Sequence, residues 1–233
     1  MTAHRPVRMA WLLAIVAGTA AAQHEQEPAF THVLVARLEY HEQDSTTLWD
    51  LQGWSGGDYR KFRWKSEGRR TDGATGQAEV QLLYSKAFTP FFDWQIGVRH
   101  DILPNPSRSF AVFGLQGLAP YWFEVDLAAF VSAEGDLSAR MEVEYDLLIT
   151  QRLVLQPRVE ISVSAAEVSE FRIGRGLSTS DAGLRLRYEF SRKFAPYAGI
   201  GWEKRWGDTA DLRRATGDDT EEFTLLAGLR FWF

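Results

Sequence analysis

The 233-residue sequence contains no cysteine. Disulfides, thiolate zinc sites, iron–sulfur clusters and cysteine nucleophiles are therefore excluded. Methionine is nearly as scarce. Of three, Met1 and Met9 lie at the N-terminus, which leaves Met141 alone in the rest of the chain. Strong charge of one sign is also missing: 26 Lys+Arg against 31 Asp+Glu give a net charge of -5, evenly spread, with no basic patch for nucleic acid. After residue 22 no apolar run approaches the ~18–20 residues of a membrane helix, and helical periodicity is rare. Phosphate-cradling glycine loops are absent, since Gly174-Arg-Gly176 opens no helix.

What is present begins with a secretory signal over 1–22. Arg5 and Arg8 form its positive start, Met9 to Ala17 its apolar core, and Ala20-Ala-Ala22 the small residues before a cut at Gln23. The exported remainder alternates apolar and polar residues with period 2. From Leu137 to Leu147, Leu137, Ala139, Met141, Val143, Tyr145 and Leu147 share one face, and Ser138, Arg140, Glu142, Glu144 and Asp146 the other. The same holds for Gln77–Lys86, Phe92–His100, Leu153–Val163 and Ala182–Phe190. About twelve such segments start near Thr31, Thr46, Asp58, Gln77, Phe91, Ser109, Tyr121, Asp136, Arg152, Asp181, Tyr197 and Glu222. Each is close to the ~9–11 residues of a tilted membrane strand.

A soluble sandwich alternates too, but here the polar face carries full charges on strand after strand, which a dry core could not hold unpaired. The apolar face must then be the outside, and only lipid tolerates that. The expected fold is all-β: a closed antiparallel transmembrane β-barrel of about twelve strands, with ten or fourteen as the alternatives. It spans 31–233 behind a short periplasmic segment, 23–30. Its outer belt includes Leu184, Leu186, Tyr188, Leu225, Leu229 and Phe231.

With the N-terminus in the periplasm, alternate connections should be tight periplasmic turns: Ser55–Asp58, Phe88–Phe91, Leu118–Tyr121, Ile149–Arg152 and Lys193–Pro196. The others include Glu67–Gly76, Asp101–Arg108, Ser164–Ser180 and Arg205–Glu221, read as longer external loops. A repeat, Phe88-Thr-Pro90-Phe91, Leu118-Ala-Pro120-Tyr121 and Phe194-Ala-Pro196-Tyr197, places proline in turns and aromatics at the membrane interface. The chain ends in an alternating strand, Phe223 to Phe233. A terminal Phe233 resembles the signal read by the outer-membrane assembly machinery.

Several long motifs carry a more specific resemblance. Gly114-Leu-Gln-Gly-Leu-Ala-Pro-Tyr-Trp-Phe-Glu124, Glu144 to Arg158, Phe194-Ala-Pro-Tyr197 with Trp202-Glu203, Gly207-Asp-Thr-Ala210 and Arg230-Phe-Trp-Phe233 resemble the copper resistance protein B family, from about Arg37 to the end. The resemblance implies an outer-membrane barrel used in copper resistance beside a periplasmic multicopper oxidase, with an N-terminal segment rich in Met and His. This chain departs from that pattern: Gln23 to Thr31 holds only His24 and no Met, and Met141 has lipid-facing parity. A thioether site for Cu(I) lacks material, so copper binding would rest on His and carboxylates and suit Cu(II), weakly bound. The available group is His24, Glu25, Glu27, His32 and His41. His41 shares the parity of Arg37 and Glu39, whereas His24 and His32 belong near the periplasmic mouth.

The second candidate is the charge on the polar faces: Glu124, Asp126, Arg140, Glu142, Glu144, Arg158, Glu160, Arg185, Arg187, Glu203 and Arg205. They form either an ion-pair network that fills the lumen or a charged path for cations. The functional expectation is a non-enzymatic barrel that binds, sequesters or exports copper with periplasmic partners. One alternative is a channel or structural barrel without specific metal binding. Another is an outer-membrane lipid hydrolase, for which His100 has outward parity and Ser107 and Ser109 are close, but no nucleophile motif is present.

Overall fold

The computed structural model describes residues 28–233. The predicted signal over 1–22 and the residues His24, Glu25 and Glu27 lie outside the described residues. Twelve strands account for most of the rest: β1 Phe30–His41, β2 Thr46–Gly56, β3 Arg60–Thr71, β4 Ala74–Ala87, β5 Phe92–Leu103, β6 Arg108–Ala119, β7 Phe123–Ser132, β8 Leu137–Glu144 resumed at Leu147–Leu148, β9 Leu153–Ser164, β10 Gly176–Tyr188, β11 Phe194–Arg205 and β12 Glu221–Trp232. Each pairs antiparallel with the next, and β12 pairs with β1, so the sheet closes on itself.

The alternation sorts side chains as an inverted protein. Glu39, Gln81, Ser85, Gln95, Arg158 and Arg185 are buried inside, while Leu82, Ile96, Val98, Phe113 and Leu225 are at least half exposed outside. Such an outer surface is stable only against lipid. Leu184, Leu186, Tyr188 and Leu225 lie on it, as does Met141. One small apolar cluster is internal: Leu83, Phe110, Val112 and Phe130 pack on the lumen wall, with the Arg99 guanidinium 4.8 Å from the Phe130 ring centroid.

Two local features explain interruptions in the ladder. Pro157 in β9 faces Tyr145, whose N–H donates to the Pro157 carbonyl at 3.1 Å. Proline has no N–H to return the bond, and β8 breaks at Tyr145-Asp146 for that reason. In β1 the register to β2 shifts between Val35 and Arg37, a bulge that adds Ala36 to one strand. Leu34 pairs with Gln52 before it and Arg37 with Asp50 after it. The bulge therefore turns both His32 and His41 inward, although they are an odd number of residues apart.

The structure corrects several expectations. Glu67–Gly76 is not a long loop. β3 and β4 run through it and meet at a two-residue turn, Asp72-Gly73, with φ of 50° and 80°. Asp-Gly with both φ positive is the tight hairpin turn that matches sheet twist. β10 starts at Gly176, five positions before the expected Asp181, because Gly-Leu-Ser-Thr-Ser lacks the charged face that marks the other strands. Arg205–Glu221 contains a helix, α1, Gly207–Ala215. Pro196 lies within β11 rather than in a turn; it pairs only with Leu229 of β12, so its missing N–H leaves no ladder gap toward β10. The turn there is 189–193. The periplasmic turns at Thr89 and Thr150 are closed by threonine hydroxyls, which accept from the Phe92 and Leu153 N–H groups at 2.9 Å each.

Candidate functional site

The pairing register turns the scattered lumen charges into two ordered rows. On β7–β12, Asp126 is the direct partner of Glu142, Glu142 of Glu160, Glu160 of Asp181, Asp181 of Glu203, and Glu203 of Glu222. On β2–β5, Asp50 partners Glu67, Glu67 partners Glu79, and Glu79 partners Asp101. Each row climbs from the lower or middle lumen toward the external rim. Carboxylates directly opposed across a ladder destabilise it, so cations must stand between them.

Arginines and one lysine do so. Arg158, with a side chain only 1% exposed, contacts Asp181 at 2.7 Å and Glu144 at 3.4 Å and also binds Glu142 and Glu160. Arg140 reaches across the lumen to Glu79 at 3.2 Å and Glu67 at 3.3 Å, and back to Glu160 at 3.5 Å, so it joins the two rows. Lys65 on β3 binds Asp126 on β7. Higher up, Arg69 on β3 meets Glu203 on β11 at 2.9 Å, and Arg205 meets the same carboxylate at 2.7 Å. These ties cross the barrel, so paired charge spans the lumen at several heights.

Below and beside them lies a cavity of 420 Å³ lined by Asp50, Lys65, Glu124, Asp126, Glu142 and Glu144, and reaching Pro90 and Phe91 of a periplasmic turn. Glu124 is exposed there, directly opposite Glu144, and makes no ion pair among the described residues. The external end is covered. α1 packs against β10, with Thr209 and Ala210 buried, and the Gly174 N–H donates to the Thr209 hydroxyl at 2.8 Å. Arg172 and Arg213 both bind Asp218. Desolvation pushes the Asp218 carboxyl up, but Arg172 first, then Arg213 and Thr216, outweigh it and hold it below the usual range. From the same loop, Phe171 reaches Arg108 on β6, whose guanidinium lies 4.7 Å from its ring and bonds Asp136 at 2.8 Å.

The predicted site residues divide as follows. Arg140, Glu142, Glu144, Arg158 and Glu160 fall in one connected ion-pair network, while Asp126 with Lys65, and Glu203 with Arg69 and Arg205, form separate ties. Arg185 and Arg187 stand apart: Arg185 pairs with the buried Glu39 at 2.6 Å, and Arg187 with Asp146 at 2.6 Å. His41 is also at Glu39, Nε2 to Oε2 3.2 Å, and the Tyr197 hydroxyl donates to Glu39 at 3.0 Å. Gly228 makes that possible, since a Cβ there would sit 2.6 Å from the Tyr197 ring. His32 lies at the periplasmic mouth between Trp54 and Trp232, with ring centroids at 6.1 and 5.3 Å. His32 and His41 therefore belong to different ends. Among the described residues no three His, Cys, Asp or Glu converge as a metal cage. His100 Nδ1 is 3.0 Å from the Ser109 hydroxyl on the outer face, and no described side chain hydrogen-bonds its Nε2. Sequence reading missed Asp50, Lys65, Glu67, Arg69, Glu79, Asp101, Asp181 and Glu222. The signal was present along β3, where Lys61, Arg63, Lys65, Glu67 and Arg69 alternate.

Comparison with known proteins adds the following. Residues 29–233 match the family described as copper resistance protein B precursor. The chain is similar to copper resistance protein B of Escherichia coli, 42% identical over 203 residues, 86% of this chain and 69% of that protein. It is also similar to a copper resistance protein B homolog of Pseudomonas syringae pv. tomato, 41% identical over 205 residues, 87% of this chain and 70% of the other. Two solved structures share its fold: the NanC porin, TM-score 0.56 and 13% identity over 85% of this chain and 98% of that one, and the KdgM porin, TM-score 0.50 and 10% identity over 88% and 99%. At such identity the likeness speaks for the fold alone.

Proposed function

This chain belongs to the copper resistance protein B family, and from that premise we propose that it acts as a periplasm-facing copper vessel in the outer membrane. The observation that carries this reading is the asymmetry of the lumen: its cavity reaches the periplasmic turn at Pro90 and Phe91, while the Arg69–Glu203 tie and the loop that carries Phe171 cross on the external side. An opening of this kind fits sequestration of copper drawn from the periplasm, exchanged there with a periplasmic multicopper oxidase.

The cargo is Cu(II). Glu124, Glu144, Asp126 and Glu142 present carboxylate oxygens to the cavity, and oxygen donors suit a borderline cation rather than Cu(I). Lys65 and Arg158 already compensate three of these groups, so a divalent ion enters by competing with them and is held loosely. A second weak point of contact is proposed at His32 of the mouth, with His24, Glu25 and Glu27 before it in sequence. Imidazole must be neutral to bind a metal ion, so that component weakens in acid.

Copper titration of the mature barrel is the test. Weak Cu(II) binding that falls in Glu124→Gln/Glu144→Gln, with a further loss in His24→Ala/His32→Ala, is the expected result. Absence of Cu(II) binding by the wild type would favour the alternative of a barrel without specific metal binding, which the extensive internal pairing also supports. Growth of a deletion strain across copper, silver and zinc checks the role in the cell. Assembly is proposed to depend on Phe233: Phe233→Asp should lower the amount of heat-modifiable barrel in the outer membrane and leave export intact.

A further inference from the structure

On the outer wall near the periplasmic edge, Arg60, Lys86 and Trp94 form one cross-strand row: Arg60 is the direct partner of Lys86, and Lys86 of Trp94. Their parity is that of the lipid-facing Phe62, Leu82 and Ile96. The intervening residues point inward, where Lys61 reaches Asp93 at 3.4 Å and the Ser85 hydroxyl donates to the same carboxylate at 3.0 Å. Arg60 and Lys86 are both exposed, and neither has an ion-pair partner among the described residues. Asp58, the acid nearest in sequence, pairs with neither.

Two cations directly opposed on a ladder repel each other. Snorkelling to the interface explains one long basic side chain at a barrel rim, but it does not explain two placed face to face with no acid. The depth is set by the aromatic strip beside them: Phe62 and Tyr84 ring centroids are 5.7 Å apart and Tyr84 and Trp94 5.8 Å, both edge-on. Such rings mark the boundary between headgroups and hydrocarbon. The cation pair, two residues nearer the periplasmic turns than Phe62 and Tyr84, therefore sits at the level of lipid phosphates.

We propose that Arg60, Lys86 and Trp94 form a binding site for the phosphate of an anionic glycerophospholipid in the periplasmic leaflet. The guanidinium and ammonium groups take the phosphate oxygens, and the phosphate relieves their repulsion. The Phe62–Tyr84–Trp94 strip lies along the first part of an acyl chain. The site is on the outside of the wall and is independent of the lumen.

Native mass spectrometry of the full barrel, extracted in mild detergent and titrated with phosphatidylglycerol or phosphatidylcholine, tests this. The wild type should hold one phosphatidylglycerol in preference to phosphatidylcholine. Arg60→Gln/Lys86→Gln should weaken phosphatidylglycerol binding roughly thirtyfold, the factor for two basic residues acting on an anionic lipid surface. Arg60→Lys/Lys86→Arg should keep it, and Lys204→Gln at the external rim should leave it unchanged. Equal affinity of the wild type for both lipids, or of the glutamine double variant and the wild type for phosphatidylglycerol, would overturn the proposal. Should the double variant lose its heat-modifiable migration, Lys86→Gln alone is expected to show about a fivefold loss, and an unchanged affinity would overturn the proposal equally.

Discussion

Arg158 carries more of the lumen than any other side chain. It is 1% exposed and bound by Glu142, Glu144, Glu160 and Asp181. Removing one member of a buried charge cluster leaves the others uncompensated, at a cost of about 3–5 kcal/mol. Arg158→Ala should therefore lower the denaturant midpoint of the refolded barrel strongly, whereas Arg192→Ala, in an exposed pair with Glu189, should change it little, within about 0.5 kcal/mol. Gly228 gives a second, more local outcome. With a methyl group there, Tyr197 must leave Glu39, and the Tyr197→Phe and Gly228→Ala variants should lose similar stability, about 1–3 kcal/mol for a buried hydrogen bond to a charged group. A clear excess in Gly228→Ala would indicate that the Cβ also strains the backbone against the Leu38 carbonyl, 2.8 Å from its position.

At the scale of elements, the external cover is held at two points. Phe171 rests on Arg108 at the far wall, and Arg172 with Arg213 holds Asp218 beside α1. Phe171→Ala should loosen the cover without affecting assembly, and single-barrel conductance in a planar bilayer should rise. Asp218 sets the pH response. Its carboxyl is depressed in the folded state, so the clip is fully present above the ordinary aspartate value of about 3.9 and is lost only as pH falls through the lower folded value. Conductance should therefore be flat from pH 8 to pH 5; a rise within that range would show that another group controls the cover. These elements also show what a sequence makes legible. Strands such as β8 and β9 announce themselves because each second residue must meet lipid. β10 begins in Gly-Leu-Ser-Thr-Ser, where small residues carry no such sign, and the Asp72-Gly73 turn was readable only by weighing φ preference above polarity. The bulge at Ala36 left no trace, since it depends on how β2 pairs.

For the whole molecule, the apolar belt and the closed ladder make a barrel that resides in the outer membrane. Arginine nearer mid-belt, for example Leu184→Arg, should cost about 2–4 kcal/mol, measured by unfolding from lipid vesicles; an effect near zero would mean that the residue does not face lipid. The candidate site was only half legible. Glu142, Arg158 and Glu160 could be named from alternation, but the rows they belong to come from register, which one sequence does not contain, and Glu124 has no ion-pair partner among the described residues. Those rows have a geometric consequence. Barrel strands tilt, and the shear this imposes means that a line drawn along hydrogen-bond partners does not return to its start. Asp126 is the fourth residue of β7 from the periplasm, yet Glu222, reached by direct partners alone, is the second residue of β12 from the outside. The carboxylates thus follow a screw thread, not a ring. In a ring, every oxygen competes for a single ion at one height and binding is all-or-none. Along a thread each sideways step is also an upward one, so ions that displaced the arginines, as the proposed copper role would require, would occupy different heights and repel each other less. On that proposal loading should be gradual, with a broad isotherm and a Hill coefficient below one.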